Sequence, residues 1–238
     1  MIGRIQSIQS LGTLDGPGVR FVAFMAGCPL RCKCCHNPET MDGRDFGEYE
    51  PEKLADTAAR FLEYFGERGG VTLSGGEPLL QAEFATEYFR LCHEKGINTC
   101  LDTSGCIINP KVEKLLDVTD RVLLDIKYTN DADYLENVGC DMRPILRFLR
   151  LLNERKIPTT LRQVIIPTLN DNEENIRALA EIARAHKCVD GVELLPFRKY
   201  CEVKYEKLGI PFPLAHIPEP TAVQMERLRA ILDEAMKS

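Results

Sequence analysis

The chain has 238 residues, of which 44% are hydrophobic, 28% charged and 7% aromatic. That is the composition of a globular protein long enough to bury about 70–75% of its unfolded surface, which excludes disordered and collagen-like structure. Lys and Arg number 30 against 36 Asp and Glu, for a net charge of −6, and no dense basic run stands anywhere, so nucleic acid is not expected as a partner. The longest apolar stretch near the start, Phe21 to Ala26, is far below the ~18 residues of a membrane span. Met1-Ile2-Gly3-Arg4 opens no signal peptide, so no membrane association and a cytoplasmic location are expected.

Along the chain, short apolar runs alternate with segments of helical period, the pattern of a single α/β domain over 1–238. A strand is predicted at Arg20–Met25, followed by a cysteine-rich loop at 28–35. After Pro51, a residue suited to the first turn of a helix, Leu54, Ala58, Phe61 and Phe65 form one apolar stripe. Strands are predicted at Gly70–Leu73, Asn98–Leu101, Arg121–Leu124, Thr160–Ile166 and Gly191–Leu195. Between them lie the stripes Phe84/Tyr88/Leu91, Ile145/Phe148/Leu152 and Ile176/Leu179/Ala183, all read as core. Pro196, Gly209, Pro211, Pro213, Pro218 and Pro220 make 197–220 a long loop without regular helix, a candidate lid or partner-binding segment. Met225, Leu228, Leu232 and Ala235 then give a last helix, which closes a lid-and-helix region of about 197–238.

Polar residues gather just past the carboxyl ends of these strands: Ser74-Gly75-Gly76-Glu77, Asp102-Thr103, Asp125 with Lys127, and Arg198. Parallel α/β barrels place their active sites there. Taken singly, each of these residues also reads as a helix cap, a tight turn or an ion-paired loop residue.

Four of the ten cysteines fall between 28 and 35; Cys92, Cys100, Cys106, Cys140, Cys188 and Cys201 are scattered and read as small buried hydrophobes or idle thiols. Cys28, Cys32 and Cys35 stand in a Cx3CxxC spacing directly after the first predicted strand. Three thiolates from one loop suit a [4Fe-4S] cubane whose fourth iron stays open to a ligand. The alternative is a structural zinc site of three cysteines and His36, in a non-catalytic binding module. His36 directly follows Cys35, which makes it difficult for both to reach one ion. Cys34 leaves only one residue between itself and Cys32, so it is read as a neighbour of the ligands.

The chain at this loop resembles the radical S-adenosylmethionine (radical SAM) superfamily. Through Asp15-Gly16-Pro17-Gly18-Val19-Arg20, Cys35-His36-Asn37-Pro38, Ser74-Gly75-Gly76-Glu77, Leu101-Asp102-Thr103-Ser104-Gly105 and Leu124-Asp125-Ile126-Lys127 it resembles, more narrowly, the activases of glycyl radical enzymes. The likeness continues through Leu161-Arg162, Leu194-Leu195-Pro196-Phe197 and Lys204-Tyr205-Glu206-Lys207-Leu208-Gly209. It implies a partial (βα)6 barrel, and reductive cleavage of S-adenosylmethionine at a [4Fe-4S] cluster held by Cys28, Cys32 and Cys35. The resulting 5′-deoxyadenosyl radical would take a hydrogen atom from a glycine of the partner enzyme under anaerobic conditions.

Only about fifteen residues separate His36 from Pro51, which leaves no room for the ferredoxin-like insert of longer activases. That points to pyruvate formate-lyase as the protein substrate, with another glycyl radical enzyme or a different radical SAM reaction as the alternative. Reduced flavodoxin or ferredoxin is implied as electron donor.

By the same resemblance, Cys34, Cys35, His36, Gly75, Gly76, Glu77, Asp125, Ile126, Lys127, Arg162 and Arg198 bind S-adenosylmethionine. Glu77 is expected near the methionine ammonium, Lys127 at its carboxylate and Asp125 at the ribose. Asp102 and Thr103 match a site for Na⁺ or K⁺, and Asp15 matches the surface that meets the glycine loop. Two departures stand out: Cys34 replaces an aromatic residue, and Arg198 a histidine, at positions expected against adenine.

Overall fold

The computed structural model describes residues 1–237; Ser238, the end of the expected lid-and-helix region, lies outside the described residues. No helix among the described residues is long and apolar enough to cross a membrane. The chain divides into two compact units, residues 1–29 with 39–123, and residues 30–38 with 124 onward.

In the first unit, β1 (Gly3–Gly12) pairs antiparallel with β2 (Arg20–Met25), and on its other edge with β3 (Gly47–Tyr49). β2 pairs in parallel with β4 (Gly70–Gly75), and β4 with β5 (Asn98–Thr103). β6 (Arg121–Asp125) begins in this unit and ends in the other. β2, β4 and β5 are buried almost throughout, as parallel strands covered on both faces must be. The helices are α1 (Pro38–Met41), α2 (Pro51–Ala59), α3 (Leu62–Phe65), α4 (Ala82–Glu94) and α5 (Pro110–Leu116). Pro51 and Pro110 occupy first helical turns, and the Asn109 side chain caps α5 by accepting from the amides of Lys111 and Val112.

In the second unit, α6 (Asp131–Val138) and α7 (Arg143–Arg155) precede β7 (Thr159–Ile165), α8 (Glu173–Arg184) and β8 (Val189–Pro196), which pairs in parallel with β7. α9 (Glu202–Leu208) and α10 (Ala222–Lys237) complete it. Asn130 and Asn172 cap α6 and α8, while Gly139 and Gly209 end α6 and α9 in the left-handed conformation. The stripe of Met225, Leu228, Leu232 and Ala235 is buried as α10 packs on α8.

All six predicted strands form, each within two residues of its expected bounds, and their alternation with helices is consistent with the partial (βα)6 barrel. Several elements differ from expectation. The stripe after Pro51 breaks at Arg60–Phe61, so it spans α2 and α3; Phe61 leaves helical geometry and lies 5.8 Å from the Phe21 ring. The expected loop of 197–220 contains α9, because every proline there lies outside 202–208 and Gly209 supplies the helix stop. β1 escaped prediction because Ile5, Ile8 and Leu11 recur every third residue; an irregularity between Ile5 and Ser7 absorbs the mismatch with the strand's period of two.

A buried cation holds the amino ends of the parallel strands. Arg20 is fully buried, and its guanidinium donates to Thr72 Oγ1 (2.6 Å), Val71 O (2.6 Å), Asn98 Oδ1 (3.0 Å), Pro17 O (3.1 Å) and Arg68 O (3.2 Å). Thr72 in turn donates to Asp15 O (2.7 Å), so one side chain fixes the turn 15–18 against β4 and β5. Burial lowers the Arg20 pKa, while Cys100 and Asp120 oppose that effect. Arg20→Leu would leave these acceptors buried without a donor, and a loss of about 3 kcal/mol is expected by urea unfolding. Arg20→Lys should recover part of it; a Leu variant as stable as wild type would contradict this role.

Candidate functional site

The cysteine loop is held mostly by partners outside itself. In the first unit, Gly27 and Cys28 donate their amides to Thr40 O (2.7 Å) and Met41 O (3.1 Å) at the end of α1. In the second, the amides of Arg31 and Lys33 donate to Val138 O (3.0 Å) and Asn137 O (2.9 Å), carbonyls that the last turn of α6 leaves without helical partners. Lys33 also pairs with Glu136. Cys28, Cys32 and Cys35 are half-buried, whereas Cys34 is buried, and all ten cysteines are free of disulfides. Burial pushes the Cys34 and Cys35 thiols up to about 12; ligation to a metal removes such a proton.

Among the described residues no three His, Cys, Asp or Glu side chains are arranged to hold one metal ion. A single zinc requires such convergence, but a cubane gives each thiolate its own iron. His36 directs Nε2 at Arg198 O (2.9 Å), and burial lowers its pKa, which favours the neutral ring. Three thiols on one loop, with the His36 ring engaged elsewhere, match the donor set of an iron–sulfur cluster.

Gly75 and Gly76 serve a close backbone approach within the first unit. A Cβ on Gly76 would lie 2.2 Å from Gly27 O, and one on Gly75, at φ +104°, 2.5 Å from Met25 N. Gly76 donates its amide to Met25 O and Glu77 to Gly27 O, each at 2.9 Å. The glycines thus press the exit of β4 onto the exit of β2, where the cysteine loop begins.

Glu77 is fully buried, and its carboxylate accepts from Thr103 Oγ1 (2.5 Å), Ser104 N (3.0 Å), Ser104 Oγ (2.5 Å) and Leu79 N (3.1 Å). Its charge acts on the turn 103–105, where Thr103 Oγ1 also accepts from Gly105 N (3.0 Å). Asp102 Oδ2 accepts from Ser74 Oγ (2.6 Å), which ties the same turn to β4.

In the second unit, Asp125, Lys127 and Arg162 meet. Lys127 Nζ donates to Asp125 Oδ2 (2.6 Å), and Arg162 Nε approaches Asp125 Oδ1 at 3.4 Å. Burial alone would raise the Asp125 carboxyl, but the two cations hold it below its ordinary value. Lys127 is held well above its own: Asp125 and the thiols of Cys32 and Cys34 outweigh desolvation. Asp125 thus lies between two cations, each within hydrogen-bond distance of a different carboxylate oxygen. Ile126 is buried between Asp125 and Lys127, with its amide on Arg162 O (2.9 Å).

Arg198 lies beyond β8 and its guanidinium is ion-paired with Glu219 (2.7 Å), which also accepts from Lys199 N. Sequence reading quoted Ser74 and Ser104 within motifs but assigned neither a hydrogen-bonding role, and it did not single out Glu219. Their partners are distant in the chain, and only the Ser74-Gly-Gly and Thr103-Ser104-Gly105 contexts marked two of them.

The burial of Glu77 gives a pH test. Desolvation, the largest influence, raises its pKa above the ordinary 4.5, although the bonds from Ser104 and Thr103 oppose it. A carboxyl raised on folding contributes stability below its unfolded pKa, and that contribution is lost as pH rises through the folded value. Glu77→Gln does not titrate, so the variant should gain on wild type in urea unfolding as pH rises above the ordinary carboxylate value of 4.5. A stability difference that stays constant as pH rises would contradict the assignment.

The family model of the radical SAM superfamily matches residues 22–180. The chain is 42% identical over 238 residues to the pyruvate formate-lyase-activating enzyme of Clostridium pasteurianum, covering 100% of both chains. It is 38% identical over 237 residues to the pyruvate formate-lyase 1-activating enzyme of Escherichia coli K12, covering 98% of this chain and 96% of that one. Streptococcus suis SuiB, solved bound to S-adenosylmethionine, superposes with a TM-score of 0.70 at 15% identity, over 88% of this chain and 45% of its own, and shares the fold. The chain therefore belongs to the radical SAM superfamily and, within it, to the family of the pyruvate formate-lyase-activating enzymes.

Proposed function

We propose that this protein activates pyruvate formate-lyase by placing a radical on one of its glycines. The observation that carries this reading is the 42% identity over the full length of an enzyme named for that activity. When bound, a reduced [4Fe-4S] cluster supplies the electron that splits S-adenosylmethionine into methionine and a 5′-deoxyadenosyl radical, the species that takes the glycine hydrogen.

Cys28, Cys32 and Cys35 would hold the cluster. Lys127 and Arg162 would take the methionine carboxylate through charge-assisted hydrogen bonds, with Asp125 holding both cations in place and accepting from the ribose. The amides of Gly76 and Glu77 are committed to Met25 and Gly27, so backbone carbonyls of Gly75 and Gly76 are the groups that would receive the methionine ammonium. Glu77 would act through the turn 103–105 that it secures; Asp102 and Thr103 on that turn would supply oxygens for a bound alkali cation. Cys34, His36 and Ile126 would border the adenine, with Arg198 stacking its guanidinium there.

We read residues 1–238 as one catalytic domain, with 197–238 as its lid and last helix. Asp15, in the turn secured by Arg20, would face the glycine loop of the partner. Reduced flavodoxin or ferredoxin would deliver the electron, and the protein would work in the cytoplasm.

Anaerobic reconstitution with iron and sulfide, then reduction and electron paramagnetic resonance, tests this reading. A cluster signal that changes on adding S-adenosylmethionine is expected, together with a glycyl radical signal on added pyruvate formate-lyase. Stoichiometric zinc without sulfide would overturn it, while cofactor cleavage with no radical on that partner would shift the reading to another glycyl radical enzyme. Cys32→Ala should abolish the cluster signal. Asp15→Asn should impair glycine activation more than cofactor cleavage without a partner, and equal losses in both assays would remove Asp15 from the partner surface. Arg198→Ala should weaken S-adenosylmethionine binding, and an unchanged dissociation constant would remove Arg198 from the adenine site.

A further inference from the structure

Cys35 is fixed on both sides of its backbone. Its amide donates to Cys32 O (3.1 Å), and its carbonyl accepts from the Tyr205 hydroxyl (3.2 Å). One residue on, Lys204 Nζ donates to His36 O (3.0 Å) and to Asn37 Oδ1 (2.8 Å). Both donors come from α9, a helix that the proline-rich sequence did not predict. The Tyr205 ring is buried, 4.9 Å from Phe212, which stacks at 6.1 Å on Phe197. The hydroxyl is therefore aimed by a packed aromatic row and not by a free side chain.

Holding the peptide planes before and after Cys35 fixes its φ and ψ, and with them the direction in which Cβ presents Sγ. We propose that Lys204 and Tyr205 are positioning residues for the iron–sulfur cluster: they clamp the outgoing end of the cysteine loop so that the Cys35 thiolate stays on its iron. The clamp rests on the activase reading above and deepens it by giving the C-terminal lid a task at the cluster. Partners that orient a metal ligand govern how firmly the metal is held. A ligand whose backbone is free to turn can leave its iron and be captured by a competitor.

The test compares wild type, Tyr205→Phe, Lys204→Met and Lys204→Arg, each reconstituted anaerobically and then exposed to excess iron chelator while the cluster absorbance is followed. Tyr205→Phe keeps the ring and removes only the hydroxyl, so cluster loss about three- to tenfold faster is expected. Lys204→Met removes a charged donor and should speed loss about tenfold, while Lys204→Arg, which still donates, should stay within about twofold of wild type. Cluster-free Phe and Met variants should melt within about 4 °C of wild type.

Equal rates in all four proteins would overturn the clamp and leave the activase reading intact. A larger fall in melting temperature, or an Arg variant as leaky as Met, would overturn it in favour of a generally loosened lid. A wild-type protein that takes up no iron and sulfide would remove the activase reading and the clamp with it.

Discussion

A loop that offers three thiols to a cofactor has little left with which to fold itself, and the cysteine loop is held mainly by borrowed backbone partners. Its amides at 27 and 28 go to the end of α1, those at 31 and 33 go to the last carbonyls of α6, and its carbonyls at 35 and 36 receive donors from α9. A helix C-terminus always has carbonyls without helical partners, and α6 spends two of them on the loop. Within each unit the loop's backbone is therefore anchored by neighbouring helices, the kind of support that holds ligand side chains in place. The glycine pair at 75–76 answers the same demand from the other side of the loop's origin, since any side chain there would displace Gly27 or Met25.

In the first unit, the buried side chains of Arg20 and Glu77 are stabilised by neutral hydrogen-bond partners among the described residues. Arg20 gives its protons to carbonyls, a hydroxyl and an amide oxygen, and Glu77 takes protons from two hydroxyls and two amides. Oriented dipoles replace water around each, so each charge organises the backbone that faces it. Arg20 orders the turn that leads into β2, and Glu77 orders the turn that leaves β5. The Asp125–Lys127–Arg162 group is built differently: it brings opposite charges into direct contact, with Asp125 paired to Lys127 at 2.6 Å and to Arg162 at 3.4 Å.

The legibility of the fold follows from how local its causes are. Runs such as Arg20–Met25 and Arg121–Asp125 are apolar enough to name their own conformation, and the stripes of α4, α7, α8 and α10 declare their buried faces. β1 and α9 were missed because an irregularity disguised one period and flanking prolines disguised the other. Among site residues, the thiols announced themselves by spacing. Glu77 was legible from its motif as a cofactor-binding candidate, but a sequence cannot show that Thr103 and Ser104 turn their hydroxyls toward it.

What the sequence alone determined is the chemistry on offer: a Cx3CxxC loop after a strand, polar residues at strand ends, and an α/β alternation, all set by neighbours within a few positions. What only the tertiary structure decided is the pairing. Which carboxylate binds inward and which stays with the cations, which glycines meet backbone, and which lysine and tyrosine reach Cys35 and His36 all depend on contacts between residues some 25 to 170 positions apart. No local propensity encodes them, because burial and hydrogen-bond satisfaction are settled only when the chain has closed on itself.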